Sequence, residues 1–138
     1  DRRHAAWWRQ GPVMIAHIVL FRPREGIGAA ERQAFAAALE TARREIPSIR
    51  RFQLGRRVRH GRPYEQAMPE DFPFAAVIEF DDLDGLKAYL NHPAHGELAR
   101  VWATTSEATL VYDYEMEELT PESQISGFHI QGLRPSTS

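Results

Sequence analysis

Two short stretches constrain this chain more than anything else in it. Ile15–Phe21 (IAHIVLF) and Phe74–Phe80 (FAAVIEF) are apolar on both alternating sets of positions. A strand reads this way when neither face meets water, whereas a strand with one solvated face alternates apolar and polar residues. Ile49–Arg59 does alternate, with Phe52, Leu54 and Val58 on one side and Arg51, Gln53, Gly55 and Arg57 on the other. Gly55 inside that pattern predicts a bulge or a close backbone approach. Thr109–Met116 (TLVYDYEM) is a further strand, and Tyr112 and Tyr114, on the Leu110 face, are expected in the core.

Helical patterns separate these strands. In Ala29–Ile46 the residues Phe35, Ala38, Leu39, Ala42 and Ile46 recur at spacings of three and four, and Pro47 ends the segment. Asp81 or Asp82 is placed to cap a second helix with Leu83, Leu86 and Leu90 as its inner face and Tyr89 beside them. Pro93 breaks that helix, because proline disfavours helical backbone in the residue before it. It also suits the first turn of a new helix, predicted from Pro93 to about Ala103. His60–Pro73, with Gly61, Pro63, Pro69 and Pro73, reads as a long loop.

The order is therefore β-α-β-β-α-β. Right-handed crossovers turn that order into a ferredoxin-like α+β fold, a four-stranded antiparallel sheet with both helices on one face. The other face carries the second apolar set of the two strands, too large a patch to leave in water. A homodimer packed sheet against sheet, a dimeric α+β barrel, covers it with the fewest new parts.

Composition closes off several functions. The 138 residues fit one domain, divided here into an extension at 1–13, a domain at 14–116 opened by Met14, and a tail at 117–138. Net charge is −2, which gives no electrostatic reason for nucleic acid as a partner. There is no cysteine, so no disulfide, thiol nucleophile or cysteine zinc site forms. That fits a reducing compartment, and a cytoplasmic location is expected. No apolar run approaches the ~20 residues that span a bilayer, so no membrane is expected as a partner. Basic residues are 16 Arg against one Lys, a compositional bias. The arginines of 50–62 alternate within strand and loop without interleaved stacking aromatics, which describes a solvated or interface face. His92 and His95 lack a third ligand at suitable spacing, and Pro93 spoils a shared helical face, so no metal is expected.

Four stretches carry a family resemblance: MIAHIVLF (14–21), IPSIRRFQLGRRV (46–58), FAAVIEFDDLDGLKAYLNHPAHGELARV (74–101) and TLVYDYEM (109–116). The HPAH element after an aromatic-ended helix is the most specific of them. Over Met14–Met116 the chain resembles the stress-responsive dimeric α/β-barrel (Dabb) family, with a 59–73 loop longer than that pattern leads one to expect. The resemblance implies a dimeric barrel without a cofactor. It also implies a site like that of a plant polyketide cyclase of the family, whose catalytic tyrosine falls on Tyr89, catalytic histidine on His95 and first-strand histidine on His17. A further pocket histidine of that cyclase falls near Phe74, where this chain departs from it.

The residues themselves suit such chemistry. His95 lies near the start of the helix restarted at Pro93, where the helix dipole disfavours imidazolium and keeps a general base neutral. Tyr89 lies across the break, placed to donate to an enolate oxygen in an aldol- or Claisen-type closure. His17 is an orienting group, and Phe21, Phe74 and Trp102 are expected to wall a site for a small hydrophobic or aromatic ligand. Each residue also has a structural reading: Tyr89 as a core aromatic with its hydroxyl at the edge, His92 as a cap, His95 as a helix-start residue, His17 as a satisfied core histidine. Three functions follow: a cofactor-free cyclase, a non-catalytic stress-linked or ligand-binding protein, and a cofactor-independent monooxygenase at the level of fold alone.

Overall fold

The computed structural model describes residues 13–119 and Pro121. Residues 1–12 of the expected extension and most of the expected tail at 117–138 fall outside them, while Val13 opens the first strand. The elements in chain order are β1 (Val13–Pro23), α1 (Ala29–Glu45), β2 (Ile49–Arg56), α2 (Pro63–Ala67), β3 (Phe74–Phe80), α3 (Leu83–Asn91), α4 (Pro93–Thr105) and β4 (Ser106–Glu117). The four strands form one antiparallel sheet in the order β2-β3-β1-β4, the ferredoxin-like arrangement expected from the element order.

The doubly apolar strands are the two central ones. On β1, Ile15, His17, Val19 and Phe21 face the helices, and β3 contributes Ala76, Ile78 and Phe80 to the same side. α1 buries Ala38 and Ala42, and residues this small let it lie close against α4 and the sheet. Fully burying one Leu- or Phe-sized side chain is worth about 1.5–3 kcal/mol, so the layer of Ile15, Ile78, Phe80, Leu86 and Leu98 dominates the fold's stability.

α3 begins at Asp82, whose carboxylate accepts the Gly85 N–H at 2.9 Å. A Cβ on Gly85 would stand 3.3 Å from the Phe80 Cβ, so glycine is what lets this turn reach the sheet. The break falls at His92, which is extended (φ −78°, ψ 142°) as Pro93 demands. Its Nδ1 accepts the Ala94 N–H at 3.0 Å and caps α4.

Several expectations are corrected. Tyr112 and Tyr114 are about half exposed. They pair with Ile18 and Ala16 on the sheet face away from the helices, so they join no core within the protomer. The inward stripe of α3 centres on Leu86 and Tyr89, which leaves Leu83 and Leu90 at its exposed margins. Gly55 makes neither a bulge nor a close approach: the register shift of β2 lies between Ile49 and Arg51, and no atom stands within 4 Å of a Cβ at Gly55. β2 ends at Arg56, so Val58 lies beyond it and is exposed. The 60–73 segment contains the short helix α2, clamped by Glu65, whose carboxylate accepts the N–H groups of His60 (2.9 Å) and Gly61 (2.8 Å).

Candidate functional site

The kink between α3 and α4 turns two side chains toward one another. The Tyr89 and His95 rings meet edge to face with centroids 4.6 Å apart. The His17 ring, rising from β1, meets Tyr89 from another side at 5.5 Å. All three line one cavity of about 240 Å³ between the sheet and α4, closed further by Phe52, Leu98 and Trp102. The structure therefore brings the three sequence-expected residues into one space.

Each polar group there has an identifiable state. His17 is 5% exposed, and its Nδ1 stands 2.6 Å from Asp113 Oδ1. A carboxylate accepts hydrogen bonds, so the His17 Nδ1–H is the donor to Asp113 and the contact fixes the ring against β4. Burial first, and His17 second, hold the His95 pKa below the ordinary histidine value, while a hydrogen bond to the Leu90 backbone pulls the other way. His95 is thus neutral at pH 7, with one ring nitrogen available as a base. Burial first, and the Asp113 charge second, raise the Tyr89 pKa, so its hydroxyl stays protonated and serves as a donor. The cavity accordingly offers the basic nitrogen of His95 and the retained hydroxyl of Tyr89 within a mostly apolar wall.

Trp102 walls this cavity as expected, its Nε1 donating to Thr109 Oγ1 at 3.1 Å. Phe21 and Phe74 do not. They line a neighbouring cavity of about 360 Å³ with Phe35, Leu39 and Leu54. His17 and Phe21 stand four steps apart on β1, a run of about 13 Å, with His17 near the middle of the strand and Phe21 toward its C-terminal end. The Trp102 ring, 4.5 Å from Phe21 and 5.0 Å from Phe35, stands between the two cavities. Phe74 stacks on Phe21 at 5.6 Å, so the position where the plant cyclase carries a further histidine belongs here to an apolar cluster.

Asp113 is the site residue that the sequence pattern did not single out. Its signal lay in register. Antiparallel pairing sets Val19 opposite Val111, and the same register sets His17 opposite Asp113. A carboxylate on the helix-facing parity of β4, beside the one histidine of β1, marks the pair.

Comparison with known proteins agrees with this fold. The family model for the stress-responsive A/B barrel domain matches residues 15–116. An uncharacterised protein of Streptomyces coelicolor is 30% identical over 104 residues, covering 74% of this chain and 99% of its own. A dimeric ferredoxin-like protein of unknown function from Bacteroides fragilis is 32% identical with a TM-score of 0.56, covering 75% of this chain and 96% of that one. Hydroxynitrile lyase from Passiflora edulis superposes with a TM-score of 0.65 over 80% of this chain and 100% of its own; at 18% identity this shows a shared fold alone. With the family model spanning both central strands, the kinked helix pair and β4, this chain belongs to the stress-responsive A/B barrel (Dabb) family.

Proposed function

We propose that this protein is a cofactor-free acid–base catalyst acting on a small polyketide-like or aromatic carbonyl compound, and that it works as a homodimer. The observation that carries the reading is the convergence of Tyr89, His95 and the Asp113–His17 pair on one largely apolar cavity. His95 removes a proton from the acidic carbon between two carbonyls. The Tyr89 hydroxyl donates to the enolate oxygen as charge develops there. The carbanion adds to a second carbonyl of the same molecule, and the proton on His95 returns to the new alkoxide. His17, fixed by Asp113, holds the Tyr89 ring in place. Each positioned acid or base contributes on the order of 10²–10⁴-fold. The Passiflora edulis lyase lends support of a general kind, since its name places carbon–carbon bond chemistry on the same fold.

The dimer follows from the uncovered sheet face, where Leu110, Tyr112, Tyr114 and Met116 stand exposed, and from the dimeric state named for the Bacteroides fragilis protein. A ligand-binding protein without turnover is the second reading, favoured by the apolar character of most of the cavity wall. Incubation with linear poly-β-ketoacyl thioesters, with products separated by mass, tests the choice. The expected result is a cyclised product formed by the wild type and lost in His95→Ala and Tyr89→Phe. Tight binding with product formation no faster than the uncatalysed background overturns catalysis and leaves the binding reading.

A further inference from the structure

The 59–73 loop is longer than the family pattern leads one to expect, and neither it nor Arg57 and Val58 before it line the Tyr89–His95 cavity. It borders a groove of about 590 Å³ whose other residues include Leu20, Gly55, Ala75 and Leu110. Those four belong to the sheet face that the helices leave bare: Leu20 pairs with Ala75 and Leu110, and Ala75 pairs with Gly55. The segment thus raises a wall along one end of that face, with Tyr64 and Met68 lining the groove.

The wall is held from below. Arg57 pairs with Asp71 at 2.6 Å, and its backbone N–H donates to the Pro73 carbonyl at 2.8 Å. Arg22 donates to the Asp71 carbonyl at 2.7 Å and lies over the Phe72 ring. Glu65 clamps His60 and Gly61. Yet Val58 is 72% exposed, Tyr64 62% and Met68 52%. A segment this firmly tied, with apolar side chains facing out, has met its ordering cost before any partner arrives.

The same face presents a ridge. Leu110, Tyr112, Tyr114 and Met116 alternate along β4, all on the bare side and all at least 38% exposed. A groove and a ridge of matching apolar chemistry on one surface make that surface self-complementary, as a two-fold contact requires. We propose that a second copy of this chain seats its β4 ridge in the groove walled by residues 57–73, so that each protomer contributes one wall and one ridge. The inference rests on the homodimer reading and specifies what holds it.

Gly55 gives a clean test. It lies on the groove floor, its φ is not positive, and a Cβ there meets no atom within 4 Å. Gly55→Glu and Met68→Glu therefore disturb no contact that holds the protomer, but put a charge where the ridge would sit. Sedimentation equilibrium is run on the full chain for these two variants, for Tyr112→Glu on the ridge, and for Leu83→Glu at the exposed margin of α3. The expected result is a dimer dissociation constant raised about tenfold or more in the groove and ridge variants, with Leu83→Glu like the wild type. Loss of the dimer in Tyr112→Glu with both groove variants unchanged overturns the proposal and leaves the homodimer standing. A wild type that is monomeric at micromolar concentration overturns the homodimer and the proposal together. Should the glutamate variants be insoluble, Gly55→Ala and Met68→Ser read the same shift at smaller size, and their failure to shift it overturns the proposal equally.

Discussion

Replacing Asp113 tests whether the buried histidine is held or merely present. The His17 side chain is 6% exposed and its Nδ1 lies 2.6 Å from a carboxylate whose own side chain is 41% exposed. A hydrogen bond to a charged group contributes about 1.5–3 kcal/mol when sheltered. Solvent reaches the Asp113 end and screens it, so about 1–2 kcal/mol is the reasonable share. In Asp113→Leu the acceptor disappears and the buried Nδ1–H has no partner, so that full share is lost. In Asp113→Asn an acceptor oxygen of similar reach remains, and the loss falls to about 1 kcal/mol or less. For a chain of this length about 1 kcal/mol corresponds to roughly 4 °C in Tm. Asp113→Leu is therefore expected to melt about 4–8 °C lower and Asp113→Asn within about 4 °C of wild type, by calorimetry at one fixed protein concentration. Asp113→Leu loses the orientation of the His17 ring, so ligand binding or turnover falls most in that variant, whereas Asp113→Asn keeps an acceptor and retains more of it. Equal melting of Asp113→Leu and wild type would refute the argument, because it would mean that the pairing contributes nothing in solution.

Four further outcomes follow. Tyr89→Phe keeps the ring that packs on Phe80 and His95, so Tm changes by no more than about 1 kcal/mol equivalent while turnover or ligand affinity drops, read by thermal shift beside a binding titration. The His95 pKa is depressed in the fold, so below the unfolded value of 6.5 the unfolded chain takes up a proton that the folded chain resists; stability is full above that pH and falls as pH drops through it, and His95→Gln flattens the decline below pH 6.5 in a urea series. Ala42 is fully buried where α1 meets the core, so Ala42→Leu overpacks it and costs about 1–3 kcal/mol, seen as a lower urea midpoint. Glu65→Ala frees the N–H groups of His60 and Gly61, and limited proteolysis should then cut within 57–73 before the rest of the domain.

The family resemblance pointed to Tyr89 and His95; the sequence by itself determined the element order, the two doubly apolar strands and the helix break at His92–Pro93 that lies between them. These are local matters: alternation, three-and-four spacing and proline sterics act over a few residues and survive in a one-dimensional reading. Only the tertiary structure decided which parity of β1 meets the helices, because both parities are apolar and alternation carries no information there. That single choice put His17 inside and Tyr112 and Tyr114 outside, while distance along β1 put Phe21 and Phe74 in a separate cavity. It also made Asp113 the partner of His17, a relation across 96 residues that depends on strand register. The wall at 57–73 was legible only as a loop, since its short helix is held by Glu65, Asp71 and Arg22, and contacts that close long loops leave no periodic trace in the chain.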